Sequence, residues 1–213
     1  VDDAIGKVLS AIKEHELDND TLIVFTGDNG GQEKDDARNY PYRGGKNTMW
    51  DGGVHVPYIV KWTGVIPAGR TYKGLISILD VYTTAAAVAG RKAPKICDGE
   101  NFLPYMTGQM QGDVHEELFW KRSEGYSAAR SEAMRRGKWR IVRNLPKHPW
   151  QLYDLDNDPS ETTDLATSNQ TIVQELASRY DRWNNKLPQT PKRTGQLGGR
   201  FPLGIGWATP ENP

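Results

Sequence analysis

The sequence predicts an α/β fold: part of a mostly parallel sheet flanked by helices, joined to a small C-terminal antiparallel sheet packed by one helix. Three observations predict it. An amphipathic helical pattern at the start of the chain runs into a continuous apolar stretch, residues 22–26. Beyond residue 112 the texture changes to short apolar runs parted by turn-like stretches. A final ladder, Ile172, Leu176, Tyr180 and Trp183, then recurs at the spacing of one helix face.

Each element has its own signal. Ala4, Ile5, Val8, Leu9 and Ile12 predict a helix over residues 2–16, broken by Asp18-Asn19-Asp20. Residues 22–26 fit a strand buried on both faces, as in a parallel sheet. Residues 27–53 form a long loop rich in Gly and charge, and loops of that length are usually functional. Residues 56–62 read as a second strand, 64–69 as a turn and 75–77 as a short third strand. Residues 80–89 read as a helix stopped by Gly90, and 98–108 as a loop with a short helix. Short strands follow at 118–120, 126–130, 139–143 and 151–153, with a turn at Asp156-Asn157-Asp158-Pro159. A helix over 169–186 covers that sheet, and a Pro/Gly-rich tail occupies 188–213. The expected units are residues 1–112, 113–187 and the 188–213 tail.

Composition narrows the function classes. Lys+Arg and Asp+Glu are both 27, so the formal charge is zero and no general nucleic-acid footprint is present. No apolar run approaches a membrane span. Cys97 is the single cysteine, so there is no internal disulfide framework. The opening Val1-Asp2-Asp3 lacks a methionine and begins inside a helical pattern, the expectation for a processed or excised piece.

Two motifs in the long loop carry chemistry. Thr26-Gly27-Asp28-Asn29-Gly30-Gly31 ends the first strand, where open α/β sheets place ligands. Asp28 and Asn29 offer adjacent hard oxygens, which suit Ca²⁺ or Mg²⁺, and the glycines let backbone approach a ligand. The same residues also make an ordinary turn. Arg43-Gly44-Gly45-Lys46 flanks two glycines with cations, as in a loop that closes on an oxyanion or in a solvated basic loop.

Taken in order with Trp50-Asp51-Gly52-Gly53-Val54-His55-Val56-Pro57 and the strand Tyr58-Ile59-Val60-Lys61-Trp62, these motifs resemble the sulfatase family of the alkaline phosphatase superfamily. Ile66-Pro67-Ala68-Gly69, Asp98-Gly99, Arg136-Gly137-Lys138-Trp139-Arg140, Gln151-Leu152-Tyr153-Asp154-Leu155, Asp158-Pro159 and Glu161 continue the resemblance through residues 1–187, as the family's C-terminal part. It implies an alkaline-phosphatase-like sheet and hydrolysis of a sulfate ester, of an aryl alcohol or a carbohydrate. It implies that Asp28 and Asn29 ligate one Ca²⁺, less often Mg²⁺. It gives Lys46 the sulfate and leaving-group oxygens, and Arg43 the ordering of the loop. His55 departs from the pattern, since many relatives carry Arg there, and reads as a structural histidine.

The family's nucleophile is a formylglycine made from Cys or Ser in Cys/Ser-x-Pro/Ala-x-Arg. Cys97-Asp98-Gly99-Glu100-Asn101 does not fit that pattern. Ser131-Glu132-Ala133-Met134-Arg135 fits it by coincidence, inside the expected C-terminal sheet. The resemblance therefore places the nucleophile and the remaining metal ligands upstream, in an N-terminal half or a separate N-terminal chain. It leaves the isolated chain without turnover. Two alternatives stand beside it: a phosphate or phosphonate ester hydrolase of the same superfamily, and a non-catalytic glycan-binding protein on a sulfatase-like frame. His115, His148 and the tail are surface loops that could line an entrance. Secretion, the periplasm or the lysosome all suit the family.

Overall fold

The computed structural model describes residues 1–32, 37–122 and 131–187. Helix α1 (Asp2–Glu14) leads into β1 (Ile23–Thr26). A short helix α2 (Asp51–Val54) closes the long loop and feeds β2 (Tyr58–Lys61). Helices α3 (Asp80–Val88) and α4 (Leu103–Met106) follow. The second half contains β3 (Glu117–Lys121), β4 (Glu132–Arg136), β5 (Trp139–Arg143), β6 (Gln151–Asp154) and helix α5 (Gln170–Asn184).

The C-terminal sheet is a meander in the order β3-β4-β5-β6, antiparallel throughout as expected, but its second strand is Glu132–Arg136, a segment not predicted as a strand. Each of its faces buries a different partner. Met134, Ile141 and Leu152 lie opposite one another across three strands and pack beneath Leu176 and Tyr180 of α5. Residues of one face alternate with those of the other along a strand. Ala133, Val142 and Tyr153 accordingly turn the opposite way, and Trp50 from the long loop covers them, with Met49 beside it. The sheet is therefore sandwiched between α5 and the loop that carries the Arg43 to Lys46 motif. Burying Leu176, 3 % exposed, is a contribution of about 1.5–3 kcal/mol.

Other expectations need correction. Strand β1 pairs antiparallel with β2, not in a parallel ladder, with Thr26 opposite Tyr58 and Phe25 opposite Ile59. Among the described residues, Phe25 and Ile59 are exposed and α1 buries no residue. A continuous apolar run marks a strand that needs cover on both sides, and it says nothing about which segment supplies the cover. Residues 75–77 make a single bridge, Leu75 to His115, not a strand. The strand expected at 126–130 and the 188–213 tail lie outside the described residues. Helix α3 does end as predicted, with Gly90 at φ 67° in the left-handed region that glycine enters without strain. Among the described residues no helix is long and apolar enough to cross a membrane.

Candidate functional site

Backbone hydrogen bonds clamp the loop motifs on each other. Gly30 N–H donates to the Gly53 carbonyl at 2.9 Å, Lys46 N–H to Gly31 at 3.0 Å, and Gly52 N–H to Arg43 at 2.8 Å. The Asn39 side chain accepts from Gly31 N–H at 2.8 Å and donates to the Gly31 and Gly44 carbonyls at 2.9 and 3.0 Å. A Cβ on Gly30 would overlap the Gly52 carbonyl, and one on Gly52 would overlap the Gly44 carbonyl. These glycines serve close approach of backbone to backbone. The sequence had pointed instead to approach of backbone to a ligand.

On this platform Asp28 is exposed and Asn29 half-buried, and the Asn29 amide donates to Asp28 Oδ1 at 2.9 Å. Asp28, Asn29, Tyr42 and His55 line one broad open depression. Lys46 is exposed and tied to the same loop through its backbone, but it is not among the residues lining the depression. Two adjacent hard oxygens suit Ca²⁺ or Mg²⁺ in kind, yet a Ca²⁺ shell takes about six to eight. Among the described residues no group of three or more His, Cys, Asp or Glu is placed to complete it.

Behind the platform lies an ion network that the sequence did not reveal. Arg140 of β5 is fully buried, with Nη1 3.1 Å from Asp51 Oδ1 and Nε 3.0 Å from Glu161 Oε1, and it also donates to the Met49 carbonyl. Glu161 Oε2 accepts from Asp51 N–H at 2.7 Å, and the Glu161 carbonyl accepts from Arg43 Nη1 at 3.0 Å. The Arg43 guanidinium also lies 3.7 Å from the ring centroid of Trp50 in the same loop, and its bond to Glu161 ties the loop to the C-terminal half. Asp51 Oδ2 meets His55 Nδ1 at 2.8 Å. Burial works to raise the Asp51 pKa, but the His55 hydrogen bond and the Arg140 charge outweigh it and hold the carboxyl below its ordinary range. Burial dominates at Glu161 and pushes its carboxyl up, against the pull of Arg140. The available signal was the company Arg140 keeps. A cation followed by Ile141 and Val142 in one short strand, with α5 to cover only one face, calls for a carboxylate on the other.

A second hub anchors the flank. Asp80, fully buried, accepts from Ser77 N–H at 2.7 Å and Glu100 N–H at 2.8 Å, and sits 2.8 Å from His115 Nε2. His115 is thus fastened to the interior and is no surface loop residue. Tyr58 next to this hub has its phenol pushed up to about 12, by burial first and then by the Asp80 charge. Cys97 is a free thiol, half-buried, away from the platform's hydrogen bonds. Ser131, just before β4, is buried, 3 % exposed.

Residues 1–91 match the family model Sulfatase. Human arylsulfatase D is 31% identical over 211 residues, covering 82% of this chain and 36% of the relative. N-acetylgalactosamine-6-sulfatase of Mus musculus is 38% identical over 210 residues, covering 95% of this chain and 37% of the relative. The crystal structure of Ps i-CgsB superposes with a TM-score of 0.78 at 32% identity, over 86% of this chain and 40% of that one. The chain spans less than half the length of these relatives and matches their C-terminal part. By sequence and by fold, this chain belongs to the sulfatase family.

Proposed function

We propose that this chain is the C-terminal portion of an enzyme that hydrolyses sulfate esters, with the nucleophile supplied from outside these 213 residues. The observation that carries the reading is the clamped loop. The Gly31 to Lys46 hydrogen bond holds the Asp28-Asn29 oxygen pair and the Lys46 segment on one rigid platform. Asp28 and Asn29 would hold a single Ca²⁺, or Mg²⁺, which when bound supplies positive charge to the sulfate oxygens. Lys46 presents a point charge that neutralises the oxygen of the departing alcohol. Arg43 and the Arg140 network fix the loop so that neither group has to reorganise during the reaction. A formylglycine would serve as nucleophile. Cys97 lacks its sequence pattern and Ser131 is buried, so no residue of this chain takes that role.

The substrate we favour is a sulfated carbohydrate rather than a simple aryl sulfate. Ps i-CgsB, 32% identical, has been solved with k-i-k-neocarrahexaose, and the mouse relative is named for a sulfated amino sugar. Tyr42 offers an aromatic surface in the same depression.

The test uses the complete enzyme and the isolated chain side by side on sulfate, phosphate and phosphonate esters. Sulfate ester turnover by the complete enzyme, lost with Asp28→Ala or a chelator and restored by Ca²⁺ only in the unmutated protein, is the expected result. The isolated chain should give none. Hydrolysis by the isolated chain, or preferential turnover of phosphate or phosphonate esters by the complete enzyme, refutes the reading.

A further inference from the structure

Resting on that reading of the site, we propose that His55 is a substrate-binding residue that takes a hydroxyl group of the sulfated carbohydrate. Asp51 is the positioning residue behind it. Backbone register places His55 beside the Asp28-Asn29 pair. Thr26 lies opposite Tyr58, Gly27 N–H reaches the Pro57 carbonyl at 3.4 Å, and Gly30 N–H reaches Gly53 at 2.9 Å. Residues 28 and 29 therefore run alongside residues 54–56. His55 lines the same depression as Asp28 and Asn29, and its side chain is 42 % exposed.

The ring is held for recognition. Asp51 Oδ2 sits 2.8 Å from Nδ1, and the Tyr42 ring lies 4.2 Å from the imidazole, centroid to centroid. Asp51 is itself fixed by Arg140 at 3.1 Å and by Glu161 on its backbone N–H at 2.7 Å. An ionised carboxylate only accepts, so the proton of the neutral imidazole sits on Nδ1 and Nε2 presents a lone pair. Sulfate ester oxygens have no proton to give, whereas a sugar hydroxyl donates. His55 thus discriminates the sugar that bears the sulfate and leaves the sulfate itself to the Asp28, Asn29 and Lys46 platform.

The experiment pairs enzyme variants with a series of monodeoxy analogues of a sulfated hexose, using the complete enzyme and reading kcat and KM separately. In the unmutated enzyme one deoxy position should lower kcat/KM about 10-fold, the loss of one substrate hydrogen bond. In His55→Ala that position should no longer matter, while the other deoxy positions keep their effects. His55→Gln, which restores a polar atom near Nε2, should recover part of the discrimination. Asp51→Asn should blunt it mainly through KM. Thermal melts of both His55 variants show which remain folded, and His55→Gln carries the test if His55→Ala does not. The inference is overturned if every analogue falls by the same factor in His55→Ala and His55→Gln, if neither variant changes the discrimination, or if the unmutated enzyme turns over aryl sulfates alone. Absence of sulfate ester turnover by the unmutated enzyme instead defeats the underlying assignment of function.

Discussion

Arg140 is the residue on which the loop and the sheet most depend, and Arg140→Met tests that dependence. The guanidinium has no exposed surface and faces two carboxylates, Asp51 at 3.1 Å and Glu161 at 3.0 Å, which are 3 % and 0 % exposed. Methionine fills much of the volume but removes the guanidinium that faces both buried carboxylates. Removing one partner from a buried ion pair costs about 3–5 kcal/mol. Against a domain stability of about 5–15 kcal/mol, that is about a fifth or more of the total. Glu161→Gln is the matched control. It leaves Arg140 and Asp51 balanced one against one and keeps an oxygen able to accept from Asp51 N–H, so a loss of about 1–2 kcal/mol is expected. The assay is equilibrium urea denaturation followed by tryptophan fluorescence. Two reporters sit at the network: Trp120, whose ring centroid lies 5.0 Å from Arg140, and Trp50, under Arg43. If Arg140→Met stays within about 1 kcal/mol of the unmutated protein, or proves milder than Glu161→Gln, the network is not the anchor argued for.

The same two carboxyls give a pH signature of opposite sign. Glu161 has a raised folded pKa, so its contribution is full below the ordinary value of 4.5 and is lost as pH rises through the raised value. Asp51 has a lowered folded pKa, so its contribution is present above the ordinary value of 3.8 and is lost as pH falls through the lowered one. The stability advantage over Glu161→Gln should therefore shrink as pH rises above 4.5, and the advantage over Asp51→Asn should shrink as pH falls below 3.8; chemical denaturation on both sides of these values checks both. Gly30→Ala should cost more than 2 kcal/mol, since the added methyl meets the Gly52 backbone and not a movable side chain. Gly90→Ala has open space around it and pays only for its left-handed φ of 67°, about 1–2 kcal/mol, and thermal melts should rank the two accordingly.

Some of this protein was legible in its sequence because the relevant physics is local. Strand β5 and helix α5 followed from apolar periodicity, and the end of α3 followed from Gly90, because each depends on neighbours a few residues away. The order of Asp28-Asn29, Arg43 to Lys46 and the Val56-Pro57 strand entry was enough to indicate the family, since an ordered set of special residues rarely arises by chance. The pairing direction of β1 was not legible, because its apolar run looks the same in parallel and antiparallel ladders. The purpose of Gly30 and Gly52 was not legible either, since a missing Cβ does not say what occupies its place.

By itself, then, the sequence determined the positions of β5 and α5, the apolar face of α5, and that Asp28, Asn29 and Lys46 share one loop. Only the tertiary structure decided that this loop covers one face of the C-terminal sheet. Arg140 reaches Asp51 across 89 positions, and Glu161 reaches it across 110. Contacts at such separations come from closure of the chain, and no local pattern encodes them. The network that seats the loop on the sheet also fixes Asp51, and through Asp51 the ring of His55 beside the Asp28-Asn29 pair.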